Sequence, residues 1–282
     1  SRRYPESLGL FYSAITDRVQ LKANEDEYIL MGMSAYGKPT HAEEMRKMLQ
    51  YKYNFHNGCR KFFPQADHFD LAASAQKVYE EEFIKLLSYT ETLTKSDNLV
   101  LMGGCALNCL ANRHVHKFFK NVWVMPNPGD AGSSIGAIAA GEMQMLNWET
   151  PYIGEEIKGK YPIKHIMEEL LENNIVGVAN GKAEFGPRAL GNRSLFANPT
   201  GQEMKDLVNK IKQRQEFRPF APVILEEDVH KHFYVEKGFS SPYMQYIVKA
   251  KDREMYPAIV HKDGTSRVQT VTRKPVSYTH LR

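Results

Sequence analysis

Cysteine is scarce in this chain: Cys59, Cys105 and Cys109 are its only three in 282 residues. An odd count with no CxxC pair signals neither a disulfide framework nor a zinc site. Cys105 and Cys109, four apart next to a Gly-Gly, read as small packing thiols. Long apolar runs are also missing, and none approaches the roughly 18 residues that a membrane span needs. No secretory leader is visible, so a reducing, cytoplasmic setting is expected. The familiar catalytic patterns are absent too. There is no Cys/His dyad, no GxxxxGKS/T loop and no GxGxxG fingerprint. His114 and His116, like His230 and His232, are two apart, a spacing that sends two rings to different faces of a helix. Internal repeats and low-complexity segments are lacking. The charge excess is small, with 37 Lys and Arg against 33 Asp and Glu and a formal net charge of +4. A dedicated nucleic-acid binder is usually more basic.

What is present is a sizeable apolar fraction, 42% of residues, enough for one large or two medium folded domains. The most distinctive stretch runs from Lys182 to Pro222. It carries Lys182, Arg188, Arg193, Lys210, Lys212, Arg214 and Arg218, separated by glycines and prolines. Such spacing makes backbone turns rather than one solvated helix face. Guanidinium groups aimed at one place bind phosphate or carboxylate through paired, charge-assisted hydrogen bonds. A solvated surface and a nucleic-acid patch are the competing readings. The interleaved Phe185, Leu190, Leu195, Phe196, Phe217, Phe220 and Val223 favour a folded, partly buried anion pocket. Glu184 is read as a carboxylate that orients Arg188 or Lys182. No general base stands out, which suits chemistry in which the protein positions groups and stabilises charge.

The periodicity predicts a helix near Leu10–Val19, a charged helix over 41–50 and a long helix from Asp70 to Thr94 with Asp70 as its N-cap. Residues 51–69 are read as a turn-rich stretch with a hairpin about Asn57-Gly58. A strand follows from Asn98 into Gly103-Gly104, then a helix from about Ala106 to Phe119, a strand at 122–125 and a helix from Ser133 to Asn147. This order is an α/β unit with parallel strands. Residues 151–162 read as a linker. Beyond them come a helix over 163–173, a strand over 175–179, a helix over 202–211, and strands at 223–225 and 243–250.

Two further sites lie in the α/β unit. Gly103 and Gly104, after a strand, let a ligand approach the backbone, and the next helix start offers N–H groups. Asn108 either faces that ligand or bonds local backbone. The turn NPGDAGSS carries Gly129, Asp130 and Gly132, with Ser133 and Ser134 as further N–H donors. Asp130 reads either as a ligand to a phosphate-bound metal or as a plain helix cap.

GGCALN at 103–108, NPGDAGSSIGA at 127–137, EFGPRALGNRS at 184–194 and KQRQEFRPFAP at 212–222 together resemble the NodU/CmcH-type O-carbamoyltransferases. These modify nodulation factors, aminoglycosides and cephalosporins. SLGLFYSAIT and YILMGMSAYGKP near the start are similar to that family as well. The resemblance runs from about Pro5 to Val271. It implies an α/β fold, α+β in the second part. Residues 1–150 would be the C-terminal half of an actin-like, RNase H-like transfer domain, and 163–272 part of a YrdC-like domain.

The activity so implied uses carbamoyl phosphate and ATP to make a carbamoyl-adenylate, then passes the carbamoyl group to a hydroxyl of a small molecule or glycan. Arg188, Arg193, Lys212, Arg214 and Arg218 would hold the phosphates, with Lys182 and Ser194 beside them. Gly103, Gly104, Asn108, Gly129 and Gly132 would contact nucleotide. Asp130 would match the family's aspartate ligand to a divalent metal, iron or magnesium. No nucleic-acid or membrane partner is expected, and a homodimer is allowed for. The family's HxxxH pair and its NTSFN-like segment have no counterpart here. The chain is therefore expected to be truncated at both ends, with 273–282 a tail outside the family. The alternatives are a threonylcarbamoyl-type tRNA-modifying enzyme and a non-catalytic anion-binding fragment.

Overall fold

The computed structural model describes residues 4–273. All but the first residue of the expected tail lies outside them. The chain divides into two compact units, Ser1–Trp123 and Val124–Arg282.

The first unit is built on helices. They are α1 (Leu8–Arg18), α2 (Glu27–Met33), α3 (Ala42–Gln50) and the long α4 (His68–Thr94). The first three pack against α4. Ser7 caps α1 by accepting the Leu10 N–H at 3.2 Å. The cap of α4 is Asp67, which accepts from Phe69 and Asp70 N–H at 2.8 and 3.1 Å. Asp70, the expected cap, instead accepts the Lys38 N–H at 2.7 Å and so ties the loop before α3 to the start of α4. Phe11, Ile15, Leu30, Met45, Leu71, Val78 and Tyr79 are the buried centre. Each such side chain contributes about 1.5–3 kcal/mol on leaving water. Tyr12 meets Tyr79 edge-on at 5.3 Å between centroids, and Tyr79 stacks on Phe83. Arg46 bridges α3 to α4 with a two-pronged bond to Glu81 at 2.7 and 3.2 Å. The 51–69 stretch forms a single helical turn at Phe55–Asn57, not a hairpin.

Strand β1 (Asn98–Leu101) pairs with β2 (Asn121–Val124), as the apolar runs predict. The expected continuous helix between them is broken. A turn at Gly104–Leu107 leads to the short α5 (Cys109–Asn112), then a second turn at Val115–Lys117. Asn108 causes the break. It sits at φ −76°, ψ 87° and takes the Ala111 N–H on its own side chain at 3.0 Å, which starts a new helix.

The second unit mixes short antiparallel pairs with helices. After α6 (Ser133–Gly141), shorter than the expected 133–147, comes β3 (Tyr152–Ile157). This strand occupies the stretch read as a linker. Then follow α7 (Ile163–Leu171), β4 (Val176–Ala179), β5 (Gly181–Glu184), β6 (Arg193–Phe196) and α8 (Gln202–Ile211). The chain continues through β7 (Val223–Leu225), α9 (Val229–His232), β8 (Phe233–Tyr234), β9 (Ile247–Ala250), β10 (Thr265–Arg267) and β11 (Gln269–Val271). Pairs β3–β5, β4–β6, β8–β9 and β9–β10 are antiparallel, and β7–β11 is parallel. Three apolar clusters fill the gaps. Tyr161, Ile166 and Val178 lie under α7, Met204, Val208 and Ala258 under α8, and Val229, Phe233, Val248 and Val268 under the β8–β9–β10 sheet. The chain is thus a mixed α/β protein, with α+β character in its second unit. Among the described residues no helix is long and apolar enough to cross a membrane.

Candidate functional site

The basic stretch folds into two structures, both in the second unit. The first is the loop between β5 and β6. Gly186 sits at φ +146°, where a side chain would also lie 2.8 Å from the Pro126 carbonyl oxygen, so only glycine fits. Glu184, on β5, collects the loop. Its Oε1 accepts the backbone N–H of Leu190 at 2.8 Å, Asn192 at 2.8 Å and Arg193 at 3.2 Å. Glu184 therefore organises backbone, where the sequence suggested that it steers Arg188 or Lys182. The Leu190 carbonyl accepts from Tyr152 Oη at 2.9 Å and Gln269 Nε2 at 3.1 Å. Ser194 Oγ accepts the Gly191 N–H at 2.9 Å. Asn192, buried, donates to the carbonyl of Lys182 at 2.8 Å. The Lys182 side chain itself is exposed on β5.

The two arginines of this loop differ. Arg188 is buried, and its Nη1 donates to the Tyr243 carbonyl at 3.0 Å. Arg193 spends its guanidinium on backbone. Nη1 donates to the carbonyls of Asn180 and Asn192 at 3.0 and 2.8 Å, and Nη2 to those of Glu155 and Gly181 at 2.9 and 3.2 Å. It staples β3, β5 and the start of β6 together.

The second structure follows α8. Lys212, Arg214 and Arg218 come together there. Partial burial first, and then the charges of Arg214 and Arg218, pull the Lys212 ammonium below the ordinary lysine value. Arg214 is fixed on several sides. Its Nε donates to Asn209 Oδ1 at 2.6 Å and its Nη2 to the Pro219 carbonyl at 3.3 Å. Its guanidinium carbon lies 4.2 Å from the centroid of the Phe220 ring. Arg218 Nη1 reaches Gln215 Oε1 at 3.4 Å. Three cations held this close lower one another's charge tolerance and make a locally positive stretch. Beside them is an open cleft of about 540 Å³ lined by Asp206, Asn209, Lys210, Gln213, Arg214 and Glu216. Its charge is mixed, with Asp206 and Glu216 beside Lys210 and Arg214.

Asp130 opens the helical turn before α6, and its side chain is exposed. The turn is tight, because a side chain at Gly132 would lie 1.8 Å from the Asn127 carbonyl oxygen. Gly129 precedes it in extended backbone. Ser133 and Ser134 turn their hydroxyls back to the carbonyls of Asp130 and Ala131. Among the described residues no group of three or more His, Cys, Asp or Glu side chains gathers to hold a metal ion. Asp130 alone offers a carboxylate on this turn.

In the first unit Gly103 sits at φ +90°, and a side chain on Gly103 or Gly104 would meet nothing within 4 Å. Asn108 is buried and turned inward. Besides capping α5 it exchanges two hydrogen bonds of 3.1 Å with Gln76. Gln76 also accepts from Tyr12 Oη at 2.7 Å and donates to Glu80 at 2.9 Å. Glu80 in turn holds Arg113 Nη2 and His114 Nε2, each at 2.8 Å. Burial works to raise the Glu80 carboxyl. Hydrogen bonds from His114 and Gln76 and the charge of Arg113 outweigh it and leave the group below the ordinary range. This network escaped sequence reasoning. Its one legible sign is a Gln and a Glu four apart on the apolar face of α4.

Two family models match the chain. Carbamoyltransferase N-terminus matches residues 2–139 and Carbamoyltransferase C-terminus matches residues 167–281. The second match runs into the stretch expected to fall outside the family. The chain therefore belongs to the carbamoyltransferase family. It is 32% identical to an uncharacterised protein of Synechocystis over 95% of this chain and 57% of that protein. It is 31% identical to the nodulation protein NolO of Bradyrhizobium diazoefficiens over 96% of this chain and 59% of that protein. Against nodulation protein U of Sinorhizobium fredii the identity is 38% over 62% of this chain and 34% of that protein. The chain thus spans little more than half the length of the first two.

Proposed function

We propose that this chain is part of an ATP-dependent O-carbamoyltransferase, in which the second unit activates the carbamoyl donor. The observation that carries the reading is the trio Lys212, Arg214 and Arg218, gathered after α8 with Arg214 pinned by Asn209 and Phe220. Arg188, in the separate β5–β6 loop and bonded to the Tyr243 carbonyl, would be a further cation for the donor. Arg193 serves by position, since its guanidinium is engaged with four carbonyls. Membership of the carbamoyltransferase family supplies the group transferred.

Carbamoyl phosphate and ATP, with one water consumed, give a carbamoyl-adenylate, pyrophosphate and phosphate. The acceptor hydroxyl, on a small molecule or glycan, then takes the carbamoyl group and AMP leaves. The trio neutralises the transferred and departing phosphates and holds them in line, which is most of what phosphoryl chemistry asks of a protein. In this reading residues 163–272 are part of a YrdC-like domain and residues 1–150 part of an actin-like transfer domain. Gly103 and Gly104 leave the backbone open to a nucleotide, and Asn108 fixes the 104–112 turn.

The test is ATP–pyrophosphate exchange that depends on carbamoyl phosphate. Lys212→Ala and Arg214→Ala are expected to remove it while both variants keep the wild-type circular dichroism spectrum. Exchange at the wild-type rate in both folded variants would place the donor site elsewhere.

A further inference from the structure

An asparagine in the last turn of a helix is locally unfavourable. Asn209 nevertheless stands there on α8, and it is only 1% exposed. A buried amide is stable only if its donors and acceptor are matched. Asn209 matches all three. Its Nδ2 donates to the carbonyls of Glu216 at 3.2 Å and Arg218 at 3.1 Å, and its Oδ1 accepts from Arg214 Nε at 2.6 Å. Its own carbonyl accepts the Arg214 N–H at 3.1 Å. One side chain thus ties the rigid end of α8 to the backbone at both ends of the 216–218 segment and to the guanidinium of Arg214.

The left-handed residue Gln213, at φ +48°, lets the chain double back so that this is possible. The stretch 212–218 carries every cation of the trio. Without the amide, the Arg214 guanidinium would keep the Pro219 carbonyl and the Phe220 face but lose its bond to α8, while the backbone N–H stays on the Asn209 carbonyl. Arg218 would lose the tether on its own carbonyl.

We propose that Asn209 is the positioning residue of the phosphate site, a helix-borne amide that fixes Arg214 and the Arg218 backbone so that both cations address one anionic group. It rests on the reading of the trio as a phosphate site. It assigns to Asn209 no contact with the ligand. A local rule broken at a fully satisfied buried position is what a functional support residue looks like.

The experiment is a double-mutant cycle read by calorimetric binding of inorganic pyrophosphate to the full chain. The variants are Asn209→Ala, Arg214→Ala and the two combined. Asn209→Ala is expected to weaken binding roughly tenfold to hundredfold, the worth of one well-placed charged hydrogen bond. In the Arg214→Ala background the same change should cost less than about threefold, because a positioning residue has little left to position. A merely structural role would give equal losses in both backgrounds, and that result overturns the proposal. So does an Asn209→Ala protein that is folded and binds normally. Should Asn209→Ala fail to fold, Asn209→Ser is read in the same cycle with the same criterion. If Arg214→Ala binds pyrophosphate as the wild type does, the phosphate-site reading fails along with the inference. If Arg214→Ala loses binding and Asn209→Ala does not, the inference alone fails.

Discussion

Replacing Glu184 by alanine should loosen the β5–β6 loop by an amount that the hydrogen-bond pattern sets. Its Oε1 is the acceptor for three backbone N–H groups, those of Leu190, Asn192 and Arg193. Hydrogen bonds to a charged group are each worth about 1.5–3 kcal/mol net, and water recovers much of this at a half-buried site. A total loss of about 2–3 kcal/mol is the reasonable figure. That corresponds to roughly a thirtyfold to hundredfold loss of protection at those three amides, since about 1.4 kcal/mol is a factor of ten. Hydrogen–deuterium exchange read at single amides is the assay. Glu184→Gln keeps an oxygen in the same place and should retain most of the protection. The Leu190 carbonyl keeps its bonds from Tyr152 and Gln269 in both variants, so the effect stays local. Unchanged exchange at the three amides in Glu184→Ala would refute the claim that this carboxylate organises the loop. Equal loss in the glutamine variant would shift the cause from hydrogen bonding to charge.

Arg193→Ala strips four carbonyls of their donor, so it should cost about 2–3 kcal/mol and lower the melting temperature by about 6 °C, while pyrophosphate affinity changes less than about threefold. Calorimetric binding beside a thermal melt separates the two effects, and a large affinity loss without destabilisation would contradict the structural role. Glu80 is held below the ordinary carboxylate range, which begins about 4.3 in the unfolded chain. Its contribution is therefore fully present above that value and is lost as pH falls through its lower folded value. Denaturant titrations across that acid range should show a slope in the wild type that Glu80→Gln lacks, and an identical slope in both would mean that the His114 and Arg113 pairing contributes nothing.

Much of the element order was legible because it follows periodic signals. The apolar spacing along 71–93 is α4, the run ending in Gly103-Gly104 is β1, and α8 begins and ends where its pattern does. The misses share a cause. Asn108 interrupts a helix that composition alone would continue, because a polar side chain competes with backbone for the same N–H. Asp67 outcompetes Asp70 for the cap because Asp70 is taken by Lys38 from a distant loop. Residues 152–157 look like a linker until β5 is there to pair with them.

For the site, residue types were readable but their jobs were not. Lys212, Arg214 and Arg218 come together as their clustering suggests. Arg193, in the same basic run, turns to backbone instead. Glu184, Asn192, Asn209 and Gln269 do their work through carbonyls and amides that only the fold brings near. No spacing in the chain announces them.

The central claim is donor activation by the second unit, and its most direct measurement is product stoichiometry. The protein is incubated with ATP and carbamoyl phosphate, and pyrophosphate and phosphate are quantified together. Carbamoyl-adenylate formation predicts that they appear in equal amounts, that neither appears without carbamoyl phosphate, and that Arg214→Ala abolishes both. Pyrophosphate released without carbamoyl phosphate, or phosphate released alone at a rate indifferent to ATP, would contradict it.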